Sequence, residues 1–227
     1  MSEIVMAVAK DAEKGPLSFP IPIDRVGTPR DVAHSEATHR RHITCLILCL
    51  IRHDGQTQLL VMNKHPRNIL KSPGEQFPPH CLDTCGGHFV LSQRAKLDGV
   101  LDADGAAGEA LRELNSEVKG PNEFMPEDLV YLGSLTYDDP KNRELRLVYG
   151  VRLTGKAEDY VMQDDILTPE GTYQYIKLPC EAHAYRELLR ILHNAPKDTM
   201  IHDGLGQLLE CVRLPESVES KVGLRLD

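Results

Sequence analysis

The chain has 227 residues, of which 41% are hydrophobic and 26% charged, with 26 Lys and Arg against 34 Asp and Glu. That length can bury a real core, as one large domain or one domain with extensions. A formal charge of −8 argues against a general polyanion-binding surface, so nucleic acid is not expected as the main partner, while a local basic pocket for one phosphorylated ligand stays open.

The N-terminal stretch MSEIVMAVAKDAEKGP is interrupted by acids and a Pro, and no apolar run reaches the roughly eighteen residues of a membrane span. Neither a span nor a secretory signal is expected, and the cytoplasm is the expected compartment. Six cysteines, at 45, 49, 81, 85, 180 and 211, show no dense scaffold spacing and read as free thiols.

Residues 1–37 mix polar residues with Pro16, Pro20, Pro22 and Pro29 and read as an irregular arm carrying one short strand near Phe19 to Ile23. From His42 to Ile51 the run HITCLILCLI is apolar and β-branched, too short for a membrane, and reads as a buried strand. His53-Asp54-Gly55-Gln56 then suits a hairpin turn, and Thr57 to Met62 returns as a second strand. Between Asn63 and Asp83 the chain is polar and broken by prolines. Lys64, Arg67 and Lys71 there read either as solubilising surface cations or as a loop crossing a ligand phosphate. His88 to Asp102 has no clean period.

Residues 104–119 read as a helix, closed by Gly120-Pro121. Leu129 to Leu135 and Glu144 to Leu153 alternate as strands around a turn at Asp138 to Asn142, and Tyr173 to Leu178 is a further short strand. Glu181 to His193 and Gly204 to Val212 show leucines at helical spacing. This order supports an α/β fold with a mixed β-sheet between helices. The main domain is expected over 38–215, followed by a tail at 216–227.

Glu109, Glu113 and Glu117 share one face of the expected helix, because side chains four apart stack one above another. Like charges at that spacing destabilise a helix by roughly 0.2–0.5 kcal/mol per pair, and no Lys or Arg stands at 105, 116 or 120 to offset them. A solvated acidic face is the commoner explanation of such a stripe. A bound hard cation, which takes carboxylate oxygens, is the sharper one.

Gly86-Gly87 followed by Arg112-Glu113-Leu114-x-x-Glu117 resembles the Nudix box of Nudix hydrolases. Thr38-His39-Arg40 and Asp83-Thr84-Cys85-Gly86-Gly87-His88 look like the branch similar to isopentenyl diphosphate isomerase. The resemblance covers roughly residues 38–178 and implies an α/β/α sandwich. It also implies that Glu113 and Glu117 bind Mg2+ or Mn2+ and that Arg112 ties loop to helix, here through Asp104. Glu144 matches a glutamate that faces the metal from a later strand.

The reaction implied is hydrolysis of a diphosphate linkage in a nucleoside diphosphate derivative or a similar small phosphorylated metabolite. Lys64, Arg67, Arg146, Gly86 and Gly87 are the candidate substrate contacts. A homodimer is compatible with this reading, dimers being common among soluble enzymes.

Three departures qualify the pattern. Ser116 stands where the family places a glutamate, Lys119 stands in place of the box Gly, and extra residues separate Gly87 from the helix. A missing carboxylate weakens a hard-cation site, so the alternative is a Nudix-fold module that binds its ligand without turnover. Glu109 could supply the lost carboxylate from one turn earlier, although the family usually has a small residue there. The isomerase cysteine position is Gly86, with Cys85 one residue off, so Cys85 reads as a packing residue. His80, Cys81, Cys85 and His88 offer zinc-type ligands, but not the usual two distant pairs. His39 and His88, which match metal-binding histidines of the isomerase, read better as structural groups.

Overall fold

A computed structural model describes residues 5–13, 17–27, 40–53, 56–64, 80–90, 99–121, 123–138, 143–156, 159–162, 175–179, 199–202 and 204–207. The largest sheet is mixed and is built around β3 (His42–His53). Along one edge β3 pairs in parallel with β9 (Arg143–Leu153), from His42 opposite Glu144 to Ile51 opposite Leu153. Its other edge is shared. Residues 85–89 dock along the first half, and β4 (Gln56–Lys64) pairs antiparallel with the second, closing the expected hairpin with His53 opposite Gln56.

On its far side β4 carries β11 (Tyr175–Pro179), and on the edge it shares with β3 its last three residues pair antiparallel with β5 (His80–Asp83). β12 (Thr199–Ile201) adds to β5 in parallel, and β8 (Leu129–Asp138) pairs antiparallel with β9. The expected turns at 54–55 and 139–142 and the expected helix at Glu181 to His193 fall outside the described residues.

The N-terminal stretch departs from the expected irregular arm. β1 (Val5–Val8) and β2 (Ile21–Gly27) pair with each other, β1 reaches β3 at His42, and the two-residue β6 (Val100–Leu101) pairs with β2. All four residues of β1 are buried, so no polar and apolar alternation marks it as a strand. Glu13 anchors this stretch to the sheet through Arg40 at 3.3 Å and Arg143 at 3.0 Å, and Asp138 joins Arg41 at 2.9 Å and Arg143 at 3.1 Å. Pairs this close to solvent add little stability singly and act here as a register clamp.

Alternation along β3 and β9 divides the sheet into two faces. Ile43, Cys45, Ile47, Cys49 and Ile51 of β3, with Leu145, Leu147, Tyr149, Val151 and Leu153 of β9, form one core with Ala106, Ala110 and Leu114 of α1 (Ala103–Glu117). The opposite face bears Leu46, against which Gly204 packs so closely that a β-carbon there would lie 3.0 Å from Leu46 Cδ2. Residues 204–207 are helical, with Leu205 fully buried. Helical segments therefore cover both faces, as the expected sandwich requires. No helix among the described residues is long and apolar enough to cross a membrane.

β8 carries a bulge between Tyr131 and Gly133, with Gly133 at φ +142°. The extra residue inverts the alternation, and Leu135 and Tyr137 then pair with Arg146 and Glu144. Without it they would fall on the opposite face of the sheet.

α1 begins where Asp102 accepts a hydrogen bond from Gly105 N at 2.7 Å, a side-chain N-cap. It does not run to Gly120. The helix ends at Glu117, and Val118–Lys119 turn into the two-residue strand β7, paired with β10 (Val161–Met162). Gly120 has a packing role instead, since a β-carbon there would come within 2.3 Å of the Tyr160 ring.

Gly86 and Gly133 separate two kinds of glycine requirement. At Gly86, φ is +146° and a β-carbon would lie 2.1 Å from the Cys45 carbonyl oxygen, a backbone atom that has no rotamer with which to give way. At Gly133 only the φ value opposes a side chain. Gly133→Ala is expected to lower stability by about 1–3 kcal/mol, and Gly86→Ala by clearly more. Urea unfolding of the two variants, compared with wild type, checks the order.

Candidate active site

The buried stripe of α1 is Ala106, Ala110, Glu113, Leu114 and Glu117. Glu113 and Glu117 are 8% and 5% exposed, so the expectation of a solvated acidic face is overturned. Buried carboxylates persist only with partners, and the partners are backbone and arginine. Glu117 Oε2 accepts from Gly86 N at 2.9 Å. Glu113 bonds with Arg112 Nη2 and lies against Gly87, where a β-carbon would stand 3.0 Å from its Cδ. The two glycines thus do different work: Gly86 meets Cys45 of β3, and Gly87 leaves room for the Glu113 carboxylate.

The Gly-Gly segment is fixed by β3. Ile47 N donates to Cys85 O at 2.8 Å, Cys45 N to Gly87 O at 2.9 Å, and Phe89 N to Ile43 O at 3.0 Å. Arg112 completes the attachment with Nε to Glu109 Oε2 at 3.2 Å and Nη2 to His88 O at 3.4 Å. Its expected tie to Asp104 is not seen: Asp104 is exposed in the first turn, about 12 Å down the axis at 1.5 Å per residue. Glu109 binds Val90 N at 3.3 Å as well as Arg112, so it braces the loop. Burial pulls the Arg112 pKa down, and the carboxylates of Glu113 and Glu109 more than restore it.

Ser116 Oγ donates to Glu113 O at 2.8 Å. Cys45 and Cys85 are buried beneath the loop, and burial pushes both thiols well up. They pack rather than react, since the thiolate is the nucleophile. Lys64 ends β4, opposite Cys81 in register, while Arg67, Lys71 and His39 lie outside the described residues.

Glu144 stands apart from the α1 pair. It alternates with the core residue Leu145 and so lies on the face opposite α1. There Glu144 Oε2 accepts from Arg146 Nε at 2.6 Å and Thr44 Oγ1 at 3.2 Å, and His42 Nε2 lies 3.5 Å from Oε1. Arg146, 1% exposed, also donates to Gln207 Oε1 at 2.8 Å and stacks 4.0 Å from the Tyr137 ring centroid. The His42 and His88 rings stack at 4.8 Å. Among the described residues no group of three or more His, Cys, Asp or Glu side chains is placed to hold a metal ion.

His42 and Thr44 joined this network unforeseen. The only signal was two polar residues opening an otherwise apolar strand, and their partner Glu144 becomes a neighbour only through the β3–β9 register.

Burial by itself would raise the Glu144 carboxyl, but the nearby His42 imidazole and the Arg146 guanidinium outweigh it and hold the group well below the usual carboxylate range. A depressed folded-state pKa contributes stability that is present above the unfolded value and is lost as pH falls through the folded value. Stability is therefore expected to decline below about pH 4.5, and Glu144→Gln should flatten that decline. The same variant leaves Arg146 without its carboxylate and is expected to cost about 3–5 kcal/mol at neutral pH. Thermal melts across pH check both effects.

No family model matches this sequence, and no curated protein matches it. Among solved structures, a NUDIX hydrolase from Alicyclobacillus acidocaldarius is similar with a TM-score of 0.47 at 12% identity, over 81% of this chain and 96% of that one. A C. elegans Ap4A hydrolase binary complex gives a TM-score of 0.41 at 13% identity, over 74% and 92%. The T. brucei MERS1–GDP complex gives 0.41 at 16%, over 89% and 68%. At such scores and identities these likenesses carry no weight by themselves, and what the site can do rests on this chain's own side chains.

Proposed function

We propose that this chain is a Nudix-type hydrolase that cleaves a diphosphate linkage in a small phosphorylated metabolite, such as a nucleoside diphosphate derivative. The observation that supports this most is the pair of buried carboxylates Glu113 and Glu117, one helical turn apart against the backbone of Gly86 and Gly87. Like charges at that spacing repel, and a cation held between them would offset that repulsion as well as the cost of burial.

Magnesium or manganese fits this donor set in one form: an ion held by two carboxylates, with substrate phosphate oxygens and waters completing its shell. An all-protein cage does not fit the described residues, and Glu144 lies across the sheet in its own ion pair. Glu113 and Glu117 would hold the ion. When bound, the ion lowers the pKa of a water and neutralises charge on the phosphate oxygens.

The remaining work belongs to the chain. Arg112 holds Glu113 and Glu109 in place and offsets part of the repulsion on the helix. The Gly86 N–H keeps Glu117 turned to the loop, and Gly87 leaves room for the Glu113 carboxylate. Lys64 and Arg67 are proposed as phosphate contacts on their residue type, since Lys and Arg suit an anionic ligand. Arg146 is assigned to the scaffold, because reaching a phosphate would break its buried bonds to Glu144 and Gln207.

One observation favours the second reading, a module that binds without turnover: Ser116 turns its hydroxyl to the helix backbone and offers no carboxylate. A panel of nucleoside diphosphate derivatives with magnesium separates the two. The hydrolase reading expects phosphorylated products, and Glu117→Gln should lower turnover by about 100-fold or more, the scale of removing one charge-stabilising group from a catalytic centre. Ser116→Glu is expected to tighten manganese binding in a calorimetric titration, because cation affinity rises with the number of charged oxygen ligands. Ligand-dependent thermal stabilisation without any cleavage would favour the binding module.

A further inference from the structure

The Gly-Gly segment has one side chain with which to anchor itself between Cys85 and Phe89, both buried at 1% and 0% exposure. Two of the three residues in between are glycines, which have no side chain and the widest backbone freedom. His88 is the third. Phe89 belongs to the core that packs against α1, so alternation along the extended segment sends the His88 side chain to the opposite face, level with Thr44. There its ring lies on the His42 ring, with 4.8 Å between centroids and 22° between planes, a separation typical of offset aromatic stacking.

His42 is a fixed surface to stack on. It is 2% exposed, and β3 is paired on both edges at this point, with Ala7 of β1 and Glu144 of β9. Its Nε2 is buried without a hydrogen-bond partner among the described residues, 3.5 Å from Glu144 Oε1. What reaches the segment from His42 is the face of its ring.

Contacts to both carboxylates of α1 lie within two residues of His88. Gly86 N donates to Glu117 Oε2 at 2.9 Å, Gly87 lies against the Glu113 carboxylate, and His88 O accepts from Arg112 Nη2, which also bonds with Glu113. We propose that His42 is a positioning residue for Glu113 and Glu117, acting from the opposite face of the sheet through its stack on His88. The ring face fixes His88, and the His88 backbone fixes where the Gly86 N–H and the Arg112 guanidinium meet the two carboxylates. The stack stands on this geometry; that the positioned carboxylates hold a cation rests on the hydrolase reading above.

Amide hydrogen exchange of the full chain without metal tests the stack, since local opening is read residue by residue. His88→Ala is expected to speed exchange at Gly86 by about 2- to 10-fold, the range of one aromatic pair, while amides at the carboxyl end of β9 keep their rates. His42→Ala is expected to do the same, and the double variant to be no looser than either single one, because residues in contact do not act additively. His42→Phe keeps a ring face and is expected to stay near wild type. Unchanged exchange at Gly86 in His88→Ala overturns the proposal. So do single effects that add in the double variant, or exchange in His42→Phe as fast as in His42→Ala. Should His42→Ala fail to fold, the other two variants decide, because His88 is only half-buried and phenylalanine refills the His42 site.

A calorimetric titration with manganese tests what the stack serves. His88→Ala is expected to weaken binding by about 2- to 10-fold, with His42→Phe near wild type. An affinity unchanged in His88→Ala overturns the positioning role. A wild-type chain that binds no manganese, with Gly86 still loosened by His88→Ala, overturns the cation reading and supports the stack.

Discussion

The docking of residues 85–89 onto β3 is the constraint on which the rest of the molecule depends. Three backbone hydrogen bonds, at Cys45, Ile47 and Phe89, hold the segment to the strand. Its two glycines let it lie closer than any side chain would allow. From that line outward, Gly86 positions Glu117, Gly87 makes room for Glu113, the His88 carbonyl receives Arg112, and the His88 ring stacks on His42. A shift of this segment would move groups on both faces of the sheet together.

Burial and charge oppose each other along α1, and geometry decides the outcome. Glu113 and Glu117 lie on the stripe that also buries Ala106, Ala110 and Leu114. The helix can place them there because each has a partner: the Gly86 N–H for Glu117, and Arg112 for Glu113. Charge-assisted bonds of this kind are stronger than neutral ones and compensate carboxylates that have left water. The arrangement leaves two partly compensated carboxylates packed against a bare backbone loop.

The opposite face carries a different polar economy. At the amino-terminal ends of β3 and β9, Glu144 accepts from Arg146 and Thr44, Arg146 donates to Gln207, and His42 Nε2 stands 3.5 Å from the Glu144 carboxylate. Such a network is weak evidence for stability in itself but very sensitive to loss of one member. Asp83 and His202 stand at the carboxyl ends of β5 and β12. One central sheet thus supports an acidic helix on one side and buried polar groups on the other, joined by the segment from Asp83 to His88.

Much of the architecture was legible in the residues alone. The apolar run of β3, the Asp-Gly return into β4, the alternation of β8 and β9, and the helix carrying the Glu113 and Glu117 stripe all follow from periodicity and turn chemistry. β1 was not legible, because a strand buried on both faces shows no alternation, and the end of α1 was misread because Gly120 looks like a helix stop while serving Tyr160.

The candidate site divides in the same way. Glu113, Glu117 and Arg112 belong to one helix, so local spacing related them from the start. Only the tertiary structure decided that Arg112 reaches the His88 carbonyl, that Glu144 lies across the sheet with Arg146, and that Asp83 meets His202. Helical spacing is written in a few consecutive residues, whereas strand register and sheet face are set by pairing between segments far apart in the chain.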